Sequence, residues 1–127
     1  MDTPAKNQTQ NLRAIIDVGS NSVKLLIADV ENGIVMPIFH KGKQTRLGQG
    51  VFKTGRLEAE AIAATARGVA AFDATAKAVG AVSIRVLATS AAREASNADE
   101  LAAAIAVSGL ELEIIDGQIE AELVLRG

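Results

Sequence analysis

The tetrapeptide Glu31-Asn32-Gly33-Ile34 constrains the fold of this chain more than any other feature. Asn-Gly between two apolar runs signals a two-residue type I′ hairpin turn, which needs two successive positive φ angles. The runs it joins, Ser22 to Val30 and the one opening at Ile34, are therefore antiparallel neighbours. An earlier apolar run, Arg13 to Val18, breaks at Gly19 and supplies a first strand. Lys41 to Arg56 is polar, carries Gly42, Gly48, Gly50 and Gly55, and reads as a long loop of the kind that often has a function.

Downstream the periodicity changes. From Leu57 to Val79, Ile62, Val69, Phe72 and Val79 fall at helical intervals in an alanine-rich background, and Gly80 follows as a stop. Val82 to Ala88 predicts a fourth strand, and Thr89 to Glu94 a turn into a short helix. Asn97-Ala98-Asp99-Glu100 has the pattern of a capping box, with Leu101 and Ile105 on one face of the helix it opens and Gly109 at its end. Leu110 to Ile115 alternates as a fifth strand, and Asp116-Gly117 leads into a helical stretch with Ile119 and Leu123 four apart. The order β-β-β-α-β-α-β-α, with right-handed crossovers, predicts an α/β fold: a mixed five-stranded sheet, its first three strands antiparallel, with helices on both faces.

The 127 residues suit one domain, from about residue 13 to 127 after a polar, disordered arm over 1–12. Apolar residues make up 49% and aromatics 2%, so alanine supplies much of a core built from small residues. With no cysteine and a single histidine, His40, neither a disulfide framework nor a zinc site of Cys or His can form. Thirteen basic and 15 acidic residues show no block of one sign, which speaks against nucleic acid as partner. No secretory or membrane-spanning apolar run is present, so the expectation is a cytoplasmic protein with no membrane partner.

Three segments carry residues suited to chemistry. In Asp17-Val18-Gly19-Ser20-Asn21-Ser22 a carboxylate ends a buried strand. Gly19 permits close backbone approach, and Ser20, Asn21 and Ser22 offer donors to phosphate oxygens. Asp17 could hold a divalent cation; a plain hairpin turn of small polar residues accounts for the same spacing. Thr89-Ser90-Ala91-Ala92-Arg93 opens a helix at a strand end, where N–H groups favour anions and Arg93 could fork onto phosphate oxygens. Equally, Thr89 or Ser90 could simply cap the helix, with Arg93 paired to Glu94 or Asp99. Asp116 to Glu120 repeats the arrangement, with Asp116 as cap and Glu120 either a base for an attacking water or a solvated helix residue. Gly50-Val51-Phe52-Lys53-Thr54-Gly55 has the glycine spacing of a P-loop, but Arg56 and Leu57 stand where Lys and Ser/Thr are required. Gly48-Gln49-Gly50 lacks the third glycine of a dinucleotide fingerprint and reads as a flexible turn.

Four segments in order, Ile16 to Ile27, Thr45 to Gly50, Ala88 to Arg93 and Ile114 to Ala121, resemble the exopolyphosphatase and guanosine-pentaphosphate phosphatase family. The resemblance runs from about Arg13 to Gly127 and covers the N-terminal actin-like, or ribonuclease H-like, lobe of such proteins. It implies Mg²⁺-dependent hydrolysis of a terminal phosphoryl group from polyphosphate or guanosine pentaphosphate, in a cleft between two lobes of a homodimeric full-length protein. By position, it implies phosphate or substrate contacts from Asp17, Gly19, Ser20, Asn21, Ser22, Arg46, Thr89, Ser90 and Arg93. It also implies Glu120 as the carboxylate that activates water and, with Asp17, a metal ligand. The chain departs from the family pattern at Asp116, where Ser is usual, and at Ile119, where a second Glu is usual; the second phosphate loop expected soon after Gly127 is absent. Two functions follow: a phosphatase domain inactive alone, or a non-catalytic module sensing guanosine tetra- or pentaphosphate. A sugar or acetate kinase lobe shares the Asp-x-Gly-Ser turn but leaves Arg93 and Glu120 unexplained.

Overall fold

The computed structural model describes residues 11–115. The strands are β1 (Leu12–Val18), β2 (Ser22–Glu31), β3 (Ile34–Gln44), β4 (Ser83–Ala88) and β5 (Leu112–Ile114). The helices are α1 (Val51–Thr54), α2 (Ala59–Val79), α3 (Ser90–Glu94) and α4 (Ala98–Ala106). They form one mixed sheet in the order β3-β2-β1-β4-β5, with β1, β2 and β3 antiparallel and β4 and β5 parallel to β1. The final helical stretch expected after Asp116, and residues 1–10 of the polar arm expected over 1–12, lie outside the described residues, whereas Leu12, placed in that arm, is buried and opens β1.

The hairpin signal is realised as expected. Asn32 and Gly33 have φ of 54° and 78°, the successive positive angles that a type I′ turn demands. The next expectation is corrected: Lys41 to Gln44 belong to β3 rather than to a loop, because Val23 and Leu25 of β2 offer ladder partners to Lys43 and Lys41. An edge strand accepts such polar residues since one flank meets no other strand. Pro37 is tolerated there for the same reason, beside a bulge where Ile27 pairs Phe39 but Ala28 pairs Pro37. Inside the former loop lies α1, a single turn of helix with left-handed Gly50 and Gly55 at its ends. Those two glycines are the ones whose spacing imitates a P-loop; here they terminate a helix.

Alternation along β1 divides its side chains between two clusters. Leu12, Ala14, Ile16 and Val18 join Val23, Leu25 and Ile27 under α2 and α4, while Ile15 joins Ala28, Val30 and Leu87 on the opposite face. The α2 stripe contains Ile62, Val69 and Phe72 as predicted but continues through Ala76; Val79, the last residue of the helix, is exposed instead. Gly80 ends α2 with φ 99°, its N–H bonded to the Ala76 carbonyl. On α4, Leu101 and Ile105 are buried as expected.

Asn97 occupies the N-cap position of α4, yet its side chain does not cap. The amide is buried and bonds the backbone of Leu57 in both directions. Its Oδ1 accepts from the Leu57 N–H at 2.7 Å, and its Nδ2 donates to the Leu57 carbonyl at 3.1 Å. Glu100, which a capping box would turn back to Asn97, pairs with Arg56 at 3.1 Å. The Ser96 N–H donates to the Gly55 carbonyl at 2.8 Å. These bonds fasten the segment before α2 to the segment before α4. Asn97→Ala strands two buried backbone groups, so it is expected to lower stability by about 2–4 kcal/mol in urea denaturation. A loss below about 1 kcal/mol would show that water replaces the amide.

Candidate functional site

Parallel pairing brings the carboxyl ends of β1, β4 and β5 to one edge of the sheet, with the β1–β2 turn and the end of β3 beside them. Asp17 is the penultimate residue of β1, register-paired with Lys24 on β2 and Leu87 on β4. Burial pushes its carboxyl above the ordinary aspartate range, and the positive charge of Lys24 pulls partly back. Gly19 closes the turn with its N–H on the Ser22 carbonyl at 3.0 Å. A Cβ at Gly19 would lie 3.1 Å from that oxygen, so a small residue suits the position.

The turn is held from outside by the segment after β3. The N–H groups of Thr45 and Arg46 both donate to the Asn21 carbonyl, at 3.0 and 2.9 Å, and the Gly48 N–H donates to the Ser20 carbonyl at 2.8 Å. The carbonyls of Ser20 and Asn21 are thereby engaged by protein donors, which lessens their repulsion of an anion at the tip. To reach Asn21, Arg46 adopts φ 54°, a left-handed conformation that costs a residue with a side chain about 1 kcal/mol and is offset by these bonds. Gly48 packs so closely that a Cβ there would come within 3.0 Å of Ser20 Cβ. Gly48-Gln49-Gly50 is therefore a docked segment, not merely the flexible turn expected from its composition. Between the two segments opens a cavity of about 370 Å³ lined by Ser20, Asn21, Gln44, Arg46, Gly48 and Gln49. Gln44 joins this lining through its pairing with Ser22, a tertiary signal that its polar, glycine-bearing surroundings in the sequence do not carry.

On the β4 side, Val18 pairs with Ala88, which places Gly19 and Thr89 one step beyond the last paired residues of adjacent strands. Thr89 stands at the N-cap of α3 without a side-chain cap bond, and its carbonyl accepts from the Arg93 N–H at 2.8 Å. Ser90 is the first residue of α3. Arg93 Nη1 donates to the Ile115 carbonyl at 3.3 Å, tying α3 to the end of β5, whereas its Nε is 3.9 Å from the Glu94 carboxylate. Neither arrangement is a bidentate ion pair, and the side chain keeps about a third of its surface exposed. Glu120, with Asp116 and Ile119, lies outside the described residues. Among the described residues no cluster of three or more His, Asp or Glu is positioned to hold a metal. No described helix is long and apolar enough to cross a membrane.

A carboxyl whose pKa is raised by folding binds protons more tightly in the native state. Stability therefore falls as pH climbs from the ordinary aspartate range through the raised value of Asp17, and stays lower above it. Asp17→Asn removes that decline. Urea titrations across pH are expected to show the variant gaining on the parent chain as pH rises through this window; a pH-independent difference would refute the assignment.

The phosphatase resemblance agrees with independent comparisons. A family model described as the Ppx/GppA phosphatase family matches residues 26–127. Exopolyphosphatase 2 of Mycobacterium tuberculosis is 40% identical over 124 residues, which cover 90% of this chain and 39% of that protein. The crystal structure of the Aquifex aeolicus Ppx/GppA family member superposes with a TM-score of 0.77 at 33% identity, over 83% of this chain and 35% of that one. An exopolyphosphatase from Cytophaga hutchinsonii gives a TM-score of 0.77 at 27% identity, over 84% of this chain and 34% of that one. The chain thus spans about two fifths of the length of its curated relative and has the mixed sheet of an actin-like lobe. It belongs to the Ppx/GppA phosphatase family.

Proposed function

We propose that this chain is the N-terminal domain of a cytoplasmic phosphatase that removes terminal phosphoryl groups from inorganic polyphosphate, guanosine pentaphosphate or both, as a homodimer at full length. The observation that carries the reading is the engagement of the Ser20 and Asn21 carbonyls by the N–H groups of Thr45, Arg46 and Gly48. That arrangement favours a tip that presents donors to an anion. In this reading Gly19, Ser20, Asn21 and Ser22 receive the terminal phosphoryl group. Arg46 approaches it from the β3 side, and Thr89, Ser90 and Arg93 from the β4 side.

Water attacks the terminal phosphorus, the bridging P–O bond breaks, and the remaining polyphosphate or nucleotide leaves with the bridging oxygen. Glu120 takes the proton from the attacking water. Arginines and backbone donors offset charge on the phosphoryl oxygens, which is most of what such catalysis requires. Asp17 fits Mg²⁺ in chemistry, being a hard oxygen donor at a strand end, and with Glu120 would hold it; the ion would neutralise phosphate charge when bound. The exopolyphosphatase named among the relatives favours polyphosphate as substrate.

The test is phosphate release from both substrates by a chain extended to the length of its relatives, with and without Mg²⁺. Asp17→Asn and Glu120→Gln are each expected to cut kcat at least about 100-fold, and Arg93→Ala to act largely through KM. Substrate binding without turnover in the extended parent protein would favour the sensing module instead. The isolated 127-residue chain is expected to bind without steady turnover; sustained release by it would overturn that part.

A further inference from the structure

The charges of this chain are less evenly mixed than their totals indicate. From Asn32 to Leu57 there are five Lys or Arg residues and no Asp or Glu, in a protein with 15 acids and a net charge of -2. This acid-free stretch is β3, the segment that docks on the phosphate turn, and α1. Arg56 is committed to Glu100, whereas Lys41, Lys43, Arg46 and Lys53 have no ion-pair partner among the described residues.

Register determines how these cations lie. Lys43 is opposite Val23 and Lys41 opposite Leu25, so both project from the same face of β3, about 7 Å apart. The stem of Lys43 runs beside α2 at Gly68, where a Cβ would be 4.0 Å from its Cδ. Asp29 and Glu31, the acids of β2, pair with Met36 and Ile34 at the far end of the hairpin. Because β3 is an edge strand, no further strand covers its outer flank among the described residues. From the pocket, exposed cations therefore recur along this edge strand and the segment after it, Arg46, then Lys43, then Lys41, with the two lysines on the face that carries α2.

We propose that this edge is a track for the distal phosphoryl residues of long-chain polyphosphate, so that the domain grips the polymer beyond the residue held by the turn. The proposal rests on the reading of that turn as a phosphate site. A linear polyanion leaving the pocket presents charge at every residue and matches a row of lysines, whereas the compact phosphates of a nucleotide do not extend along it. Single-stranded nucleic acid fits less well, since Phe39 is the single Phe, Tyr or Trp on β3 and bases need large stacking partners.

The test is equilibrium binding of tripolyphosphate and of polyphosphate several tens of residues long to the 127-residue chain, at several salt concentrations. The parent chain is expected to prefer the long polymer. The double variant Lys41→Gln, Lys43→Gln should weaken the long polymer about tenfold and reduce the slope of log K against log salt by about 1.4, for two lost phosphate contacts. Tripolyphosphate binding should not change, nor should the circular dichroism spectrum. The double variant Lys41→Arg, Lys43→Arg should restore the preference, and Lys53→Gln should leave it intact. If the parent chain prefers long polymer but the Gln variant binds it equally well, the track is overturned while the turn reading stands. If the parent chain binds neither ligand, both fall. Equal competition by oligothymidylate of matched charge would overturn the specificity for polyphosphate.

Discussion

Everything proposed for this domain depends on how the N–H groups of Thr45, Arg46 and Gly48 meet the carbonyls of Ser20 and Asn21. A tight turn between antiparallel strands leaves backbone carbonyls near its tip, and carbonyls beside a phosphate are repulsive. Docking a second backbone segment against them engages those acceptors and fixes the turn at the same time. The close approach has steric requirements that the sequence meets with Gly48, and a conformational cost that Arg46 bears at positive φ.

That second segment needs an anchor of its own. Buried Asn97 grips both backbone groups of Leu57, and neighbouring Ser96 holds the Gly55 carbonyl. Ser96 and Asn97 follow soon after α3, which carries Arg93. The two sides of the site are thus linked through one short stretch of chain: the segment bearing Arg46 and Gly48 on one side, the helix bearing Arg93 on the other. Coupling of this kind keeps candidate phosphate-binding groups from both sides of the site in a defined relation, which positioning-dominated phosphoryl chemistry requires.

Most of the strand order was legible because it rests on local signals. Asn32-Gly33 specifies its turn by backbone sterics, Gly80 ends α2 by the same logic, and the apolar runs of β1, β2 and β4 need only period and length. Reading failed where a residue's role depends on a partner distant in sequence. Lys41 to Gln44 look like loop until β2 offers hydrogen bonds to an edge strand that tolerates charge. Asn97 and Glu100 look like a capping box until Leu57 and Arg56, about 40 residues earlier, take their side chains. The totals of basic and acidic residues also concealed the acid-free stretch from Asn32 to Leu57, which acquires meaning once β3 is seen at the edge of the sheet.

By itself the sequence determined the succession of strands and helices, the small-residue turn after Asp17, and the family to which four ordered motifs point. These are properties of neighbouring residues, set by turn sterics, side-chain period and local polarity. Tertiary structure alone decided that the segment after β3 seals the carbonyls of that turn, that Asn97 ties the two sides of the site together, and that Lys41 and Lys43 line an open edge. Each of those depends on backbone hydrogen bonds or register between residues far apart in the chain, which no local pattern encodes.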